Sequence, residues 1–230
     1  MAAINPVSFG PHEGSDNTTE SESSLHIPAR SVYARMAKRI LDVTSAAVGL
    51  ILLSPVFVLL ALLIKLQDGG PILHRRRVIG PCGSFDAFKF RSMRTDADAV
   101  LQTDSVMQQD FQCNFKLRDD PRITPIGAKL RKYSLDELPQ LVNVLRGQMS
   151  LVGPRMITSA ELPKYGKYQQ LLVSVKPGLT GYWQVNGRQN VGYSRRVKMD
   201  MYYLRNWSLQ LDLRIVLKTP FVVLKGNGAL

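Results

Sequence analysis

Residues 135–141 read Leu-Asp-Glu-Leu-Pro-Gln-Leu, and this stretch sets two carboxylates side by side directly after a basic segment. In a chain with a formal net charge of +12, adjacent acids among bases indicate a chemical role. Ser134 followed by Glu137 fits a capping box, which predicts that both acids lie in a first helical turn. Pro139 leaves open that the continuous helix begins nearer to that proline. The acids could also do no more than complement a helix dipole.

Length and composition predict one folded domain with a single core and an appendage. The chain has 230 residues, of which 45% are hydrophobic, so a wholly disordered protein is excluded. Its cysteines, Cys82 and Cys113, cannot build a disulfide framework, and its three histidines have no partners at ligand spacing for zinc. We therefore expect the chemistry to face a reducing cytoplasm.

The excess of 30 Lys and Arg over 18 Asp and Glu implies an anionic partner. Nucleic acid, an anionic membrane surface and a phosphorylated substrate all satisfy that charge. Residues 1–30 are rich in Ser, Thr, Asn, Gly and Glu without apolar periodicity, so they are predicted to form a disordered tail. They lack the basic and apolar regions of a secretory signal.

An apolar run from residue 43 to residue 64 contains no charged side chain. These roughly 22 positions would span about 33 Å as one helix, so we expect them to meet lipid. Ser54 and Pro55 interrupt the run at its midpoint, where the proline removes the hydrogen bond to the Ile51 carbonyl. Basic residues flank both ends, which favours the cytoplasmic side for each. The predicted structure is a re-entrant helix that enters the membrane, breaks at Ser54 and Pro55 and returns.

The remaining chain predicts an α/β, mainly helical domain. We expect a strand at residues 85–90 and helices at residues 95–116, 138–145, 161–173, 193–206 and 209–224, the last an amphipathic helix at the membrane interface. Gly147 suits the end of the second helix. The glycine-rich segment 176–188 is either an ordinary loop or a cradle for a nucleotide.

Several cations in or beside turns suit phosphate binding, although any one of them could be a solvated surface residue. Guanidinium forks match phosphate oxygens bidentately, and lysine supplies a point charge. These cations are Lys89, Arg91, Arg122, Arg131, Arg155 and Arg188. The adjacent Asp136 and Glu137 could supply a nucleophile and a ligand for Mg²⁺. A membrane dip beside such a site suggests a phosphorylated lipid as one substrate.

Several strings occur in the order typical of one enzyme family. They are residues 89–93 (Lys-Phe-Arg-Ser-Met), 120–124 (Asp-Pro-Arg-Ile-Thr), 134–141 (Ser-Leu-Asp-Glu-Leu-Pro-Gln-Leu), 153–155 (Gly-Pro-Arg), 176–181 (Lys-Pro-Gly-Leu-Thr-Gly) and 184–188 (Gln-Val-Asn-Gly-Arg). With them, residues 35–230 closely resemble the monotopic phosphoglycosyl transferases, the bacterial undecaprenyl-phosphate sugar phosphotransferases that initiate exopolysaccharide and capsule units.

The resemblance implies a small cytoplasmic catalytic domain at residues 71–230, a re-entrant membrane helix with its flanks at residues 31–70, and the inner face of the bacterial inner membrane as location. It implies transfer of a hexose 1-phosphate, galactose or glucose, from a UDP-sugar to undecaprenyl phosphate, with release of UMP. Membrane lipid is then a partner, nucleic acid is not, and a homodimer is left open.

Residue by residue, the resemblance makes Asp136 the nucleophile and Glu137 the Mg²⁺ ligand. Lys89, Arg131 and Arg155 correspond to phosphate-contacting cations. Arg188 corresponds to a residue near the nucleotide, and Asp200 belongs to an Asp-x-Tyr-Tyr string near the site.

Two features depart from the family pattern. Met156 replaces a proline after Gly-Pro-Arg, which we expect to loosen that turn, and residues 74–80 are more basic than usual and receive no role. Two alternatives of other classes stay open. A membrane-anchored protein that binds nucleic acid or anionic lipid would show a contiguous basic face, whereas these cations are dispersed among turns. In a membrane-surface scaffold, neither Asp136 nor Glu137 would matter.

Overall fold

The structure, a computed structural model, describes residues 31–114, 117, 120–187 and 191–225, with the side chains of residues 112–114 outside that description. The predicted disordered tail at residues 1–30 and the candidate Arg188 lie outside the described residues. Within them the chain is mostly helical and carries small sheets, as the sequence predicted.

The helices and strands follow one another along the chain in a mixed order. They are α1 Val32–Leu52, α2 Ser54–Asp68, β1 Leu73–Gly80, β2 Gly83–Phe90, α3 Ala97–Thr103, α4 Ser105–Asn114, α5 Pro125–Lys132, α6 Gln140–Leu145, β3 Ser150–Val152, α7 Gln169–Val173, β4 Gly178–Thr180, α8 Tyr182–Asn186, α9 Tyr193–Arg205 and α10 Leu209–Leu224. Segments of 3₁₀ helix cover Leu135–Glu137 and Leu162–Tyr168.

The break in the apolar run is where the sequence predicted it. Helix α1 ends at Leu52, α2 begins at Ser54, and the two axes are bent by 61°. The hydroxyl of Ser54 donates a 2.8 Å hydrogen bond to the Ile51 carbonyl, the same group that Pro55 leaves without its helical donor. No single helix in the described part of the chain is long and apolar enough to cross a membrane, whereas α1 and α2 together meet that length and composition. The re-entrant topology stays a prediction.

Polar side chains dock the first half of α1 onto the rest of the domain. Lys38 donates to Asp212 at 2.6 Å, and Arg39 donates to the carbonyls of Val144 and Leu145 at 2.7 and 2.9 Å. Farther along α1, a Cβ added to Gly49 would lie 3.3 Å from the side chain of Leu141. Helices α1 and α6 therefore run antiparallel in close contact.

Helix α2 packs beneath the stretch that carries the acidic pair. Its buried Leu60 and Ile64 share a hydrophobic cluster with Phe90 of β2 and Leu130 of α5, and Leu135 packs against that cluster. The returning half of the broken helix is thus a structural floor for residues 135–137.

Large apolar side chains remain exposed on α1, α2 and α10. They include Ile40, Val48, Ile51, Leu52, Val58, Leu59, Leu62, Leu66, Leu213, Leu217, Phe221 and Leu224. On α10 the four exposed residues recur at helical spacing, so they form one face. Such a contiguous apolar surface marks an interaction site with protein or membrane, and contact with lipid stays a prediction.

Two predicted elements differ from the structure. The predicted helix at 95–116 is interrupted at Asp104, which adopts an extended backbone between α3 and α4 and caps α4 by accepting from two backbone amides. Its last residues, 115 and 116, lie outside the described residues. The predicted helix at 161–173 is a 3₁₀ segment followed by α7, because Gly166 takes φ 49° and kinks the chain. The helices predicted at 138–145, 193–206 and 209–224 are confirmed to within two residues.

The glycine-rich segment lies backbone to backbone against β3. Its residue Gly178 donates to the Pro154 carbonyl at 2.8 Å, and a Cβ there would stand 2.1 Å from the amide nitrogen of Gly153. A Cβ on Gly181 would stand 2.4 Å from the Gly153 carbonyl oxygen. These glycines are explained by the close approach of β3 and β4, so they give no support to a nucleotide cradle.

Replacing Gly178 by alanine is expected to destabilise the fold, because the added methyl group overlaps a backbone that the β3–β4 pairing holds in place. Overpacking of this kind costs about 1–3 kcal/mol or more, and about 2–4 °C of melting temperature accompanies each kcal/mol in a chain of this size. Thermal unfolding followed by circular dichroism in detergent would measure the loss.

The matched control is Gly192→Ala, where φ is −57° and nothing lies within 4 Å of the added Cβ. We expect its melting temperature to fall by much less than that of Gly178→Ala, because alanine at this N-cap of α9 loses some capping preference but meets no neighbouring atom. Equal melting temperatures for the two variants would contradict the packing argument.

Candidate active site

The acidic pair lies on a tight turn. Ser134 adopts a left-handed backbone with φ 51°, and its side chain makes no capping hydrogen bond. The capping box predicted for Ser134 and Glu137 is therefore wrong, because the left-handed residue turns the chain into a single 3₁₀ turn at Leu135–Glu137. The alternative is confirmed: Pro139 stands at the N-terminal cap of α6, and the continuous helix begins at Gln140.

Lys89, at the end of β2, reaches both acids. Its ammonium donates to Glu137 Oε1 at 2.7 Å and lies 3.8 Å from Asp136 Oδ2. Arg155, from the turn after β3, also approaches Glu137, with Nη2 3.6 Å from the same Glu137 oxygen. Glu137 is therefore neutralised by two cations, and Asp136 is neutralised less well.

This arrangement separates the pKa values of two neighbouring carboxyl groups. Burial alone would raise the pKa of Glu137, but the charges of Lys89 and Arg155 outweigh burial and lower that pKa to about 2. Burial also raises the pKa of Asp136, and the attraction of Lys89 does not offset burial combined with repulsion from Glu137. Environments that shift the pKa values of two adjacent acids in opposite directions are typical of sites that use the two acids in different roles.

Arg131 of α5 completes the cationic surroundings of Asp136. Its Nε donates to the hydroxyl of Ser92 at 2.9 Å, which fixes the guanidinium beside the end of the hairpin. Burial lowers the pKa of Arg131 and the charge of Asp136 raises it, while Arg131 in turn favours the ionised form of Asp136. The acids thus face cations from β2, from α5 and from the turn after β3.

Beyond Arg155 the site continues into a cluster of aromatic and cationic side chains. The guanidinium of Arg196 lies 4.3 Å from the ring centroid of Trp183, and that of Arg155 lies 5.6 Å from it. Arg196 also stands 5.1 Å from the ring of Tyr193. Stacking of this kind holds a guanidinium plane in position without consuming its hydrogen-bond donors.

Several buried polar atoms of this cluster have no hydrogen-bond partner within the described part of the chain. They are Trp183 Nε1, Tyr193 Oη, Arg196 Nε and Asp200 Oδ1. Asp200 is fully buried, and its other oxygen accepts a 2.9 Å hydrogen bond from the Tyr165 hydroxyl. Burial raises the pKa of Asp200 to about 7. Buried unpaired groups are costly, at about 1–3 kcal/mol each, so this concentration indicates a place for a polar ligand.

The structure brings together only some of the residues that the sequence proposed. Lys89, Arg131 and Arg155 surround the acidic pair, and Asp200 lies beyond Arg155 in the aromatic cluster. Arg188 is outside the described residues.

Arg91 and Arg122 are engaged elsewhere. Arg91 forms an ion pair with Asp68 at the end of α2 and donates to the Pro71 carbonyl at 2.6 Å, so it fastens α2 to the hairpin. Arg122 pairs with Asp120 at 2.7 Å, and both side chains are 4% exposed. These guanidinium groups stabilise loops around the site.

Sequence reasoning missed Arg76 and Arg196, and it placed Trp183 only within the glycine-rich segment 176–188, for which a nucleotide cradle was one of two interpretations. Strand β1 was not predicted, because three consecutive arginines hide its alternation, and Arg76 on that strand donates to Glu161 at 2.7 Å while helping to lower the pKa of Glu137. A signal did exist, since the predicted strand at 85–90 requires an antiparallel partner to be stable in water. For Arg196 no local signal distinguished it from other surface residues.

The acidic pair can accommodate a divalent cation that arrives with a phosphorylated substrate. Mg²⁺ typically binds one or two carboxylates, substrate phosphate oxygens and water, and the ionised Glu137 beside Asp136 offers such a surface. The described residues contain no group of three or more His, Cys, Asp or Glu side chains placed to hold a metal ion. The residues therefore suit a shared site, in which substrate completes the coordination.

Comparisons with known proteins find relatives along most of the chain. A family model described as bacterial sugar transferase matches residues 33–226. The chain is 43% identical over 221 residues to the exopolysaccharide production protein ExoY of Rhizobium meliloti (strain 1021), an alignment that covers 92% of this chain and 98% of that protein.

Two longer relatives match over less than half of their length. The chain is 43% identical over 201 residues to the undecaprenyl-phosphate galactose phosphotransferase of Salmonella typhimurium (strain LT2), covering 85% of this chain and 42% of that protein. It is 39% identical over 196 residues to the UDP-glucose:undecaprenyl-phosphate glucose-1-phosphate transferase of Escherichia coli (strain K12), covering 81% and 40% respectively.

The two acids are expected to have opposite effects on stability at pH 7. The pKa of Glu137 is lowered by folding, so its ionised form contributes stability that is complete above the unfolded pKa, declines below that pKa and is gone once pH falls through about 2. The pKa of Asp136 is raised, so its ionisation costs stability at neutral pH. Glu137→Gln should lower the melting temperature, and Asp136→Asn should raise it, by about 2–4 °C per kcal/mol.

Repeating the thermal unfolding at acidic pH provides the internal control. As pH falls, Asp136 becomes protonated in the wild type and the advantage of Asp136→Asn should shrink, whereas the deficit of Glu137→Gln should persist until pH falls below the ordinary pKa of glutamate. Melting-temperature shifts of the same sign for both variants at pH 7 would contradict the opposite pKa shifts of the two carboxyl groups.

Proposed function

Because the chain belongs to the family of bacterial sugar transferases, we propose that it transfers a hexose 1-phosphate from a UDP-sugar to undecaprenyl phosphate. Membership identifies it as a transferase of exopolysaccharide synthesis. The names of the relatives support galactose or glucose as the sugar and undecaprenyl phosphate as the acceptor. The observation that carries the proposal is the divided acidic pair, in which Lys89 and Arg155 neutralise Glu137 and leave Asp136 the better nucleophile.

Asp136 supplies the nucleophile. A carboxylate oxygen of Asp136 attacks the phosphorus that bears the sugar, the bond from that phosphorus to the bridging oxygen breaks, and UMP leaves with the electron pair. An oxygen of undecaprenyl phosphate then attacks the same phosphorus and releases Asp136, giving undecaprenyl diphosphate-sugar. Two in-line displacements replace one hard transfer. The reacting form of Asp136 is ionised, so its raised pKa sets the acid limit of activity.

The surrounding cations bind the diphosphate and stabilise the charge that develops during transfer. Lys89, Arg131 and Arg155 approach from separate elements, so a diphosphate between them would be contacted on several sides. Mg²⁺ held by Glu137 would neutralise further phosphate charge.

The cluster around Trp183 and Arg196 suits the uridine or the sugar. Four buried polar atoms there lack partners among the described residues, and hydroxyl or carbonyl groups of a UDP-sugar could satisfy them. A site built to hydrogen-bond such groups rejects substrates that lack them, because its own buried groups would then stay unpaired.

The broken helix suits delivery of the lipid. Helix α2 packs beneath the acidic pair on one face and carries exposed apolar side chains such as Val58, Leu59 and Leu62 on another. A helix pair that dips into the cytoplasmic face of the bacterial inner membrane would bring the headgroup of a polyprenyl phosphate toward residues 135–137. The basic residues on both flanks favour this topology.

Asp136→Asn is expected to abolish turnover, because an amide is a poor nucleophile, and to leave substrate binding largely intact. Purified protein incubated with a UDP-sugar labelled with ³²P on the sugar-linked phosphate, without lipid acceptor, should become labelled when it is wild type. The mutant protein should remain unlabelled.

Asp96→Asn, on the exposed surface, serves as the control and should be labelled like the wild type. Release of UMP on addition of undecaprenyl phosphate measures turnover. If Asp136→Asn and wild type release UMP at equal rates, Asp136 is not the nucleophile, and absence of UMP release from any UDP-sugar would favour a non-catalytic membrane protein.

The re-entrant topology predicts that both flanks of the broken helix are cytoplasmic. Single cysteines at positions 35 and 75, in a variant lacking Cys82 and Cys113, should resist a membrane-impermeant thiol reagent on intact cells and react after lysis. Pro55→Leu would restore a continuous helix of about 33 Å and should expose one flank. Labelling of either cysteine on intact cells while Pro55 is present would show that the chain crosses the membrane.

A further inference from the structure

A second cationic pocket lies on the opposite face of the β1–β2 hairpin from the acidic pair. Neighbouring residues of a strand point to opposite faces, so Lys89 serves the acidic pair and Phe88 faces away from it. The pocket measures about 340 Å³, within the usual size range of small-molecule sites. Its lining includes Arg75, Arg77, Asp86, Phe88, Arg146 and Gln148.

Three arginines converge on this pocket, and Asp86 is its one carboxylate among the described residues. The guanidinium groups of Arg75 and Arg146 lie 6.0 and 5.0 Å from the centroid of the Phe88 ring. Arg77 approaches Asp86 at 3.3 Å in an exposed ion pair. The lining carries two more positive charges than negative ones, and a bound anion would relieve their mutual repulsion.

The pocket has a rigid frame. Asn143 of α6, with no exposed surface, accepts a 3.0 Å hydrogen bond from the Phe88 amide and donates to the Asp86 carbonyl and to Gln148 at 2.8 Å each. This one side chain fastens α6 to the edge of β2. Asn143 therefore holds Phe88 at a fixed separation from Arg146, the residue that follows the end of α6.

The pocket also lies beside the basic start of the broken helix. Arg39 of α1 donates to the carbonyls of Val144 and Leu145, directly before Arg146. The re-entrant topology of the proposed function places the basic flank that contains Arg39 at the cytoplasmic membrane surface. Arg146 therefore lies close to headgroup depth.

We propose that this pocket binds a phosphate-bearing anion, separately from the acidic pair and without chemistry at the bound phosphate. Guanidinium groups stacked on Phe88 present donors that match phosphate oxygens. The phosphate belongs either to an anionic lipid headgroup or to a free diphosphate. The position beside Arg39 fits the headgroup, because cationic residues at that depth meet anionic lipids.

The test compares Arg75→Gln/Arg146→Gln with the wild-type full chain in detergent. One arm measures retention of phosphatidylglycerol by native mass spectrometry, with phosphatidylcholine as the neutral lipid, and the other measures binding of labelled inorganic pyrophosphate by equilibrium dialysis. The double variant should lose at least tenfold of the affinity in one or both arms. Both residues are exposed, so the melting temperature should stay unchanged.

The charge-matched control is Arg195→Gln/Lys198→Gln on the exposed face of α9, which should change affinity less than twofold. Asp86→Asn, which removes the carboxylate of the pocket, should strengthen binding. A loss confined to phosphatidylglycerol identifies a lipid headgroup, and a loss that includes pyrophosphate, or is confined to it, shows that free diphosphate fits. Equal affinities for the two double variants in both arms, or weaker binding by Asp86→Asn, would overturn the proposal. UMP release does not enter this result, so its failure and that of the proposed function are distinguishable.

Discussion

The arrangement of the domain depends on the hydrogen bonds that the buried carboxylate of Asp212 accepts. This buried carboxylate accepts hydrogen bonds from Lys38 at 2.6 Å, from the Tyr203 hydroxyl at 2.7 Å and from the Trp207 indole at 3.0 Å. Lys38 also donates to the Val152 carbonyl at 3.0 Å. One buried charge thus joins α1, α9, α10 and β3, and removal of any partner would leave it less well compensated. Helix α1 is thereby fixed relative to the rest of the domain.

From that fixed point, the two halves of the broken helix serve different purposes. The half before the break, α1, is held by polar contacts to the rest of the domain, and the half after it, α2, supplies the apolar floor under residues 135–137. The acidic pair is therefore placed by the same element that carries exposed apolar surface. A soluble nucleotide sugar and a lipid phosphate could meet at such a site without a large movement of the chain.

The β1–β2 hairpin separates two cationic environments. On one face Lys89 and Arg76 act on Glu137, and on the other Arg75 and Arg77 surround Phe88. The strand period of two residues is sufficient to divide a run of arginines in this way. Part of the positive charge of the chain thus lies at a buried site, where it adjusts carboxyl pKa values, and part lies in an exposed pocket.

The sequence alone determined the features whose causes are local. The break at Ser54 and Pro55 and the extent of α10 follow from proline geometry and helical periodicity, which act over a few residues, whereas the sequence offers two starts for the helix near Pro139. Only the tertiary structure decided which cations face the acids. Lys89, Arg131 and Arg155 do so, whereas Arg91 and Arg122 bind Asp68 and Asp120. The tertiary structure also has a left-handed turn at Ser134 in place of the predicted capping box, and it stacks Arg196 on Trp183. The physical reason is that a charged side chain has several partners within reach, and only packing between segments distant in the chain selects one.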